Sequence, residues 1–491
     1  MVDFNNHIAE ETQPNPKSII SSYRSFGYNL STAIADIVDN SISAECSNIY
    51  ISYKWNGQNS YISITDDGLG MSLKELIIAM TPGSKDPKDE RSANDLGRFG
   101  MGLKTASFSQ CKSLTVVSKK ENHFNYRTWD IDHINKCKKW QLLNYISSEE
   151  YCNKLQEFRS GTTVVWEKLD RLIGENISID NETVKQVFYR EMKFVKDHLS
   201  LVFHKFIESK KIKIYFNENE IESWNPFLYN LSVKPEMGQP EIFDKGIEVV
   251  YYILPHMSRI SNEEYQKSGG PLGWFNQQGF YIYRGDRLLV SGDWLGLEKK
   301  RDYSKLARIS INFPNSSDFD WGLDIKKSTA TPPIHFREDL KRIAAIAIKK
   351  SANTYNWRGQ KAVMSSTGSQ KIFKLWYDTT NRDGVKKYKI NRDHPLIKLA
   401  LNKNNSSSIK KILNLVEENI PIELILYNQN EDPSLHELEE KSEIPPDNTI
   451  SLAVELYKGL VENGVKEQVA KNQVLNSYPF NLYPILVNYL K

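Results

Sequence analysis

Between residues 30 and 45, LSTAIADIVDNSISAE, apolar side chains recur at Ile34, Ile37, Val38 and Ile42, the spacing of one helix face. Ser31 or Thr32 is placed to cap its start. Two alternating runs follow, NIYISYKW and YISITDD, and predict strands joined by a Gly-containing turn. LKELIIAM predicts a short helix, LTVVSKK a strand, and the run from Gly161, GTTVVW, another strand. TPGSKDPKDERSAND, residues 81–95, has no apolar period, and unstructured stretches of this length in compact domains are often lids. Farther on, TVKQVFYREMKFVKDHLSLVFHKFIES reads as helix and KIKIYFNENEI as a hairpin. IEVVYYILP, GFYIYRGDRLLV and ARISINFP read as sheet strands, and IHFREDLKRIAAIAIKKSANTYNW as a long helix. VMSSTGSQK reads as a linker. The last third then offers a hairpin and helix (KIFKLWYDTT onward) and the helices IKKILNLVEENI and SLAVELYKGLVENG. Between those helices lies the acidic stretch NQNEDPSLHELEEKSEIPPDN.

Composition narrows the class. The chain has 491 residues, 40% hydrophobic and 25% charged, an ordinary globular make-up for about two to four domains. A net charge of +3 gives no global argument for nucleic acid and leaves a local basic groove open. No run approaches a membrane span, and MVDFNNHIAEETQPNPKS lacks the apolar core of a signal peptide. Cys46, Cys111, Cys137 and Cys152 show no CxxC spacing and read as reduced thiols in a cytoplasmic protein.

Candidate chemistry gathers in the first third. Asp36 and Asn40 are four apart on one helix and point the same way. A carboxylate above a carboxamide suits a metal-and-water site; for the helix alone, a solvated polar face is the favoured reading. Asp66-Asp67-Gly68-Leu69-Gly70-Met71 puts a carboxylate at a strand end before two glycines. It reads as a plain Asp-Gly turn or as a place where a flat ring lies on the backbone while the carboxylate accepts its N–H. GRFGMGLKTASFSQC sets Gly97, Gly100 and Gly102 before a helix-like run with Lys104, Thr105 and Ser107. Such glycines allow close backbone approach, in a tight turn or around a phosphate at a helix N-terminus.

Taken in order, these motifs resemble the GHKL ATPase family. That family includes the Hsp90 chaperones, MutL mismatch-repair proteins, type II topoisomerase ATPase subunits, histidine kinases and MORC proteins. ADIVDNSISA is most similar to the MutL and MORC branches. The resemblance implies an α+β protein: a Bergerat-type ATP-binding α/β sandwich over residues 1–170, an S5-like transducer domain over 171–355, and a mostly helical C-terminal region over 356–491 for dimerisation or partner docking. It implies ATP and Mg²⁺ as cofactors. Asn40 corresponds to the Mg²⁺-holding asparagine and Asp66 to the aspartate that bonds the adenine amino group. Gly68 and Gly70, with Met71, correspond to the backbone under the base. Gly97, Gly100, Met101 and Gly102 correspond to the lid end that wraps the phosphates, followed by Lys104 and Thr105. Thr162 corresponds to the hydroxyl that supports the aspartate, usually through water. Asp36 stands where hydrolysing members carry a glutamate as general base; it is one methylene shorter, which implies slow hydrolysis or a helix seated closer to the nucleotide.

YIYRGDRLL resembles the strand-turn-strand that carries an Asn-Gly-Arg in the MutL branch, with Arg287 at the arginine. In DWGLDIKKSTATPP, Lys327, with Lys326 as its neighbour, corresponds to the transducer lysine that reaches the γ-phosphate; a basic pair on an exposed loop is the other reading. The function implied is an ATP-hydrolysing switch that forms a homodimer on ATP binding. It would act with DNA and a helicase, nuclease or methylase in restriction, repair or antiphage defence. An Hsp90-like chaperone and a nucleotide-gated scaffold with little turnover are the alternatives.

Overall fold

The computed structural model describes residues 14–83, 102–314, 321–322, 330–356, 373–380, 386–402, 406–421 and 445–490. The chain divides into two compact units, Met1–Asn356 and Trp357–Lys491.

The first unit holds two mixed sheets. The first has seven strands: β1 (Asn48–Lys54), β2 (Tyr61–Asp66), β3 (Ser113–Lys120), β4 (His123–Asp130), β5 (Gly161–Glu167), β6 (Lys213–Phe216) and β7 (Asn219–Glu220). Their order is β4-β3-β5-β2-β1-β6-β7, antiparallel except for the parallel β1–β6 pair. Alternate residues make its buried face: Ile49 and Ile51, Ile62 and Ile64, Leu114 and Val116, Val164 and Trp166. Helices α1 (Pro16–Arg24), α2 (Leu30–Ser43), α4 (Gly102–Gln110) and α5 (Glu182–Val202) share the core on that face through residues such as Ile20, Ile34, Val38, Phe108 and Phe188. The short helix α3 (Leu73–Met80) adds Leu76 and Met80.

Two local details differ from expectation. The start of α2 is capped by Asn29, whose carboxamide oxygen accepts from the Thr32 N–H at 2.8 Å, and not by Ser31 or Thr32. The predicted hairpin KIKIYFNENEI forms β6 and β7, but it completes the first sheet. Phe188, Ile214 and Ile221 lie in the first core, which therefore runs past residue 170.

The second sheet contains β8 (Glu236–Met237), β9 (Glu241–Phe243), β10 (Ile247–Ile253), β11 (Gly279–Arg284), β12 (Arg287–Asp293) and β13 (Ala307–Phe313). Its order is β12-β11-β13-β10-β8, with β9 also on β10. One face packs on helix α6 (Arg337–Asn356) through Leu340, Ile343, Ala344 and Ala347. The other face buries Val250, Tyr252, Tyr281, Tyr283 and Leu288 with Phe227 and Leu201, the latter from the end of α5. That helix thus serves both sheets.

The second unit is mostly helical: α7 (Pro395–Asn402), α8 (Ser406–Glu418), α9 (Asp447–Glu462) and α10 (Glu467–Leu475), with a two-stranded ribbon of β14 (Trp376–Thr380) and β15 (Lys386–Ile390). Its core centres on Leu456, Tyr457, Val474, Phe480 and Leu486. The fold is α+β. Among the described residues no helix is long and apolar enough to cross a membrane.

Candidate nucleotide site

Asp66 is the last residue of β2 and is 5% exposed. Its Oδ2 accepts from the Ser41 hydroxyl at 2.9 Å and its Oδ1 from the Gly68 N–H at 3.0 Å. Burial pushes its carboxyl up to about 6, while Ser41 and the main chains of Gly68 and Thr162 pull the other way. Asp67 is spent on structure: it accepts from the Ser47 and Asn48 N–H groups and from the Asn48 amide. Two adjacent acids thus have separate tasks.

The glycines after Asp66 lie against other backbone. A Cβ on Gly68 would meet the Ala44 carbonyl oxygen at 2.6 Å. Gly70 has φ +65°, and a Cβ there would stand 2.0 Å from the Lys119 carbonyl oxygen. The loop is tied further by the Met71 N–H to the Ser118 hydroxyl, 2.8 Å, and by the Ser160 hydroxyl to the Gly68 carbonyl, 2.7 Å. The Thr162 hydroxyl bonds the Ser118 hydroxyl at 2.9 Å, so its side chain supports the Met71 end of the loop. The Thr162 main chain also pairs with Asp66.

Helix α2 brings a second group of polar residues alongside, with Ser41 already on Asp66. Asn40 is exposed and Asp36 buried. Asp36 Oδ2 accepts from the buried Tyr28 hydroxyl at 2.7 Å. Gly102, the first residue of α4, is close by: a Cβ on it would lie 3.7 Å from the same Oδ2. The site therefore joins the end of β2, the outward turn of α2 and the N-terminus of α4. Lys104 is buried and donates to the Ala79 carbonyl at 3.0 Å, near the end of α3, so it is no solvated surface lysine. Thr105 is buried one turn into α4. Gly97, Gly100, Met101, Lys326 and Lys327 lie outside the described residues.

Ser41, Ser118 and Tyr28 are the contributors that sequence reasoning missed. Ser41 was visible only as the neighbour of Asn40. Ser118 emerges once β3 is paired with β5, which sets it opposite Thr162.

The donor set suits a nucleotide with Mg²⁺. A buried carboxylate at a strand end can accept from an N–H donor, and the glycines after it pack on the Ala44 and Lys119 carbonyls. Mg²⁺ takes few protein oxygens beside phosphate and water, and the exposed Asn40 carboxamide offers one. Among the described residues no group of three His, Cys, Asp or Glu converges into a metal cage.

Residues 28–162 match the family described as histidine kinase-, DNA gyrase B- and HSP90-like ATPase. The chain is 32% identical over 90 residues to the ATPase morc-1 of Caenorhabditis elegans, covering 18% of this chain and 10% of that protein. It is 28% identical over 189 residues to the chaperone protein HtpG of Rickettsia canadensis, covering 36% and 27%. The matches thus span well under two thirds of either relative. The ATPase and transducer domains of DNA topoisomerase II from Balamuthia mandrillaris align over 66% of this chain and 84% of theirs, at 14% identity and a TM-score of 0.38. Every motif of the site except the Lys326–Lys327 pair falls within residues 28–162, the segment that matches this ATPase family, and part of the chain is similar to the ATPase morc-1.

Proposed function

We propose that the protein is an Mg-ATP-dependent conformational switch that hydrolyses ATP slowly. The observation that carries this reading is Asp66: a buried carboxylate at a strand end, held by Ser41 and Gly68 and followed by glycines packed closely on neighbouring backbone. In the proposed site Asp66 accepts the adenine amino N–H, and Gly68, Gly70 and Met71 lie under the base. Asn40 supplies an oxygen to Mg²⁺. Gly102, with Gly97 and Gly100, turns N–H groups to the phosphates, and Lys104 and Thr105 follow in α4. Asp36 orients the attacking water, and Lys327, with Lys326 beside it, offsets γ-phosphate charge. Bound Mg²⁺ supplies charge neutralisation on the phosphates.

Slow turnover follows from Asp36. Its side chain is short, and Tyr28 already occupies Oδ2. A base must come within about 2.6–3.2 Å of the proton it takes, or act through one further water. The same hydrogen bond favours, as a second reading, a scaffold gated by nucleotide with scarcely any turnover. We assign the work downstream of the switch to a DNA-processing partner (a helicase, nuclease or methylase) acting in restriction, repair or antiphage defence, with association of two copies on ATP binding. The HtpG similarity keeps a protein-client chaperone as the rival. Residues 1–170, 171–355 and 356–491 would serve as ATPase, transducer and docking regions, in a cytoplasmic protein.

Single-turnover hydrolysis, alone and with duplex DNA or an unfolded protein client, tests this. The proposal expects slow ATP cleavage that DNA accelerates. Acceleration by the client alone favours the chaperone, and binding without cleavage favours the scaffold. No ATP binding at all would remove the assignment of the site.

A further inference from the structure

Asp39 lies on α2 between the two polar residues assigned to the nucleotide, one position before Asn40 and three after Asp36. It is 1% exposed. A carboxylate so buried has lost its water, and such a charge is tolerated only beside a group that replaces it. The replacement comes from the second sheet. Arg287 opens β12, 248 residues away in the chain, and sets its Nε 3.3 Å from Asp39 Oδ1; its own side chain is 5% exposed. The guanidinium is held from behind. Its Nη1 donates to the Leu288 carbonyl, and its Cζ lies 5.5 Å from the centre of the Phe203 ring. His198 of α5 stands beside the pair. Burial and the Arg287 charge push its imidazole down to about 4, so at neutral pH it adds no second cation to compete for Asp39.

We propose that Arg287 is a positioning residue for the nucleotide site: by clamping Asp39 it fixes the rotation of α2, and with it the places of Asn40 and Asp36. The inference rests on the ATPase reading above. The helix makes the link stiff. One residue of rotation is about 100°, so a clamp at 39 constrains 36 and 40 as one body. Misplacing a reacting group by about 1 Å costs roughly a hundredfold in rate. The consequence is that the second sheet carries part of the site's geometry, through a contact that touches no nucleotide atom.

The test uses the full chain and four variants: Arg287→Met, Arg287→Lys, Asp39→Asn and the double Asp39→Asn/Arg287→Met. Each is measured for single-turnover ATP cleavage, for binding of a fluorescent ATP analogue, and for melting temperature. The cleavage assay runs well below every melting point. Arg287→Met and Asp39→Asn are expected to cut the cleavage rate by about tenfold to a hundredfold, with a smaller change in analogue affinity. Arg287→Lys recovers only part of the rate, because an ammonium lacks the planar fork. The double variant removes both charges and is expected to regain melting temperature without regaining rate. It also serves as the readout should Arg287→Met fail to fold. If rate and melting temperature recover together in the double variant, the pair is merely structural and the proposal falls. Cleavage by folded Arg287→Met within twofold of wild type overturns it equally. Wild type that binds no analogue overturns the ATPase reading, and this inference with it.

Discussion

Asp66 carries a proton-linked signature that can be measured without knowing the pathway. Its carboxyl titrates at about 6 in the folded chain against an ordinary value of 3.8. Between those values the folded protein holds a proton that the unfolded chain has released, so this group's contribution to stability falls as pH rises from about 4 to 6. Two pH units correspond to roughly 3 kcal/mol. Denaturation of wild type should lose stability across that window, and Asp66→Asn should lack the component. Analogue binding should run the opposite way. On the proposed role the ionised form accepts the adenine N–H, so affinity weakens by up to about tenfold per unit as pH drops below 6. Asp66→Asn should cost at least about tenfold in affinity at neutral pH, as a charge-assisted hydrogen bond in a pocket is worth about 1.5–3 kcal/mol. An isothermal titration that finds unchanged affinity would detach Asp66 from the base. Asp36→Ala, in contrast, should lower kcat and leave affinity nearly unchanged, the pattern of a group that acts in the transition state. At this scale the sequence shows Asp36, Asn40 and Asp66, because a helix offset of four and a strand-end Asp-Gly are local facts. It does not show that Tyr28 holds Asp36 or that Ser41 holds Asp66, because a hydroxyl's partner depends on where another segment lies.

The elements around the site are set by short-range rules and then overruled in places by packing. The loop after β2 is an example of strict demand. Gly70 combines φ +65° with a Cβ position 2.0 Å from a carbonyl oxygen of β3. Gly70→Ala should therefore cost more than the roughly 1–3 kcal/mol of backbone strain alone, and chemical denaturation should show it as a lowered midpoint. A stability equal to wild type would mean that the loop can swing off β3, and the loop proposed to lie under the base would lose its rigidity. Helix α4 shows the overruling. Every side chain from Lys104 to Gln110 is buried, polar ones included, so no apolar stripe marks it. Its polar groups are met by other elements instead: the Ser107 hydroxyl accepts from the Trp166 indole at 2.8 Å, and Arg24 of α1 donates to the Phe108 and Cys111 carbonyls at its C-terminal end. The start of α2 makes the same point on a smaller scale, since Asn29, Ser31 and Thr32 all have capping chemistry and only backbone geometry selects Asn29.

For the whole molecule, the proposed switch requires that nucleotide change the association of the chain. Mass in solution should shift toward dimer with a non-hydrolysable ATP analogue, and not with ADP or without nucleotide. Differential affinity of the analogue for the associated form is the only thing that can move that equilibrium. An unchanged mass with analogue demonstrably bound would leave an ATP-binding domain that works without closure. The amphipathic runs already specified most helices and strands in order, as well as the α+β class, because burial of alternate or every third to fourth residue is written into spacing. Strand neighbours were another matter. KIKIYF reads alike beside either sheet, and the parallel pairing of Ile214 with Ile49 assigns it to the first. Helix α5 reads as one amphipathic rod, yet Phe188 enters one core and Leu201 the face of another sheet. Asp39 is an unremarkable charge in the sequence, and the motif that marks Arg287 gives no hint of its partner. They become a buried pair only when a chain separation of 248 residues is folded back, because the energy that joins them depends on the loss of water around both. Residue type and local spacing declared the chemistry of the site. Its assembly rests on desolvation and on distances between segments far apart in the chain, and neither exists until the chain is folded.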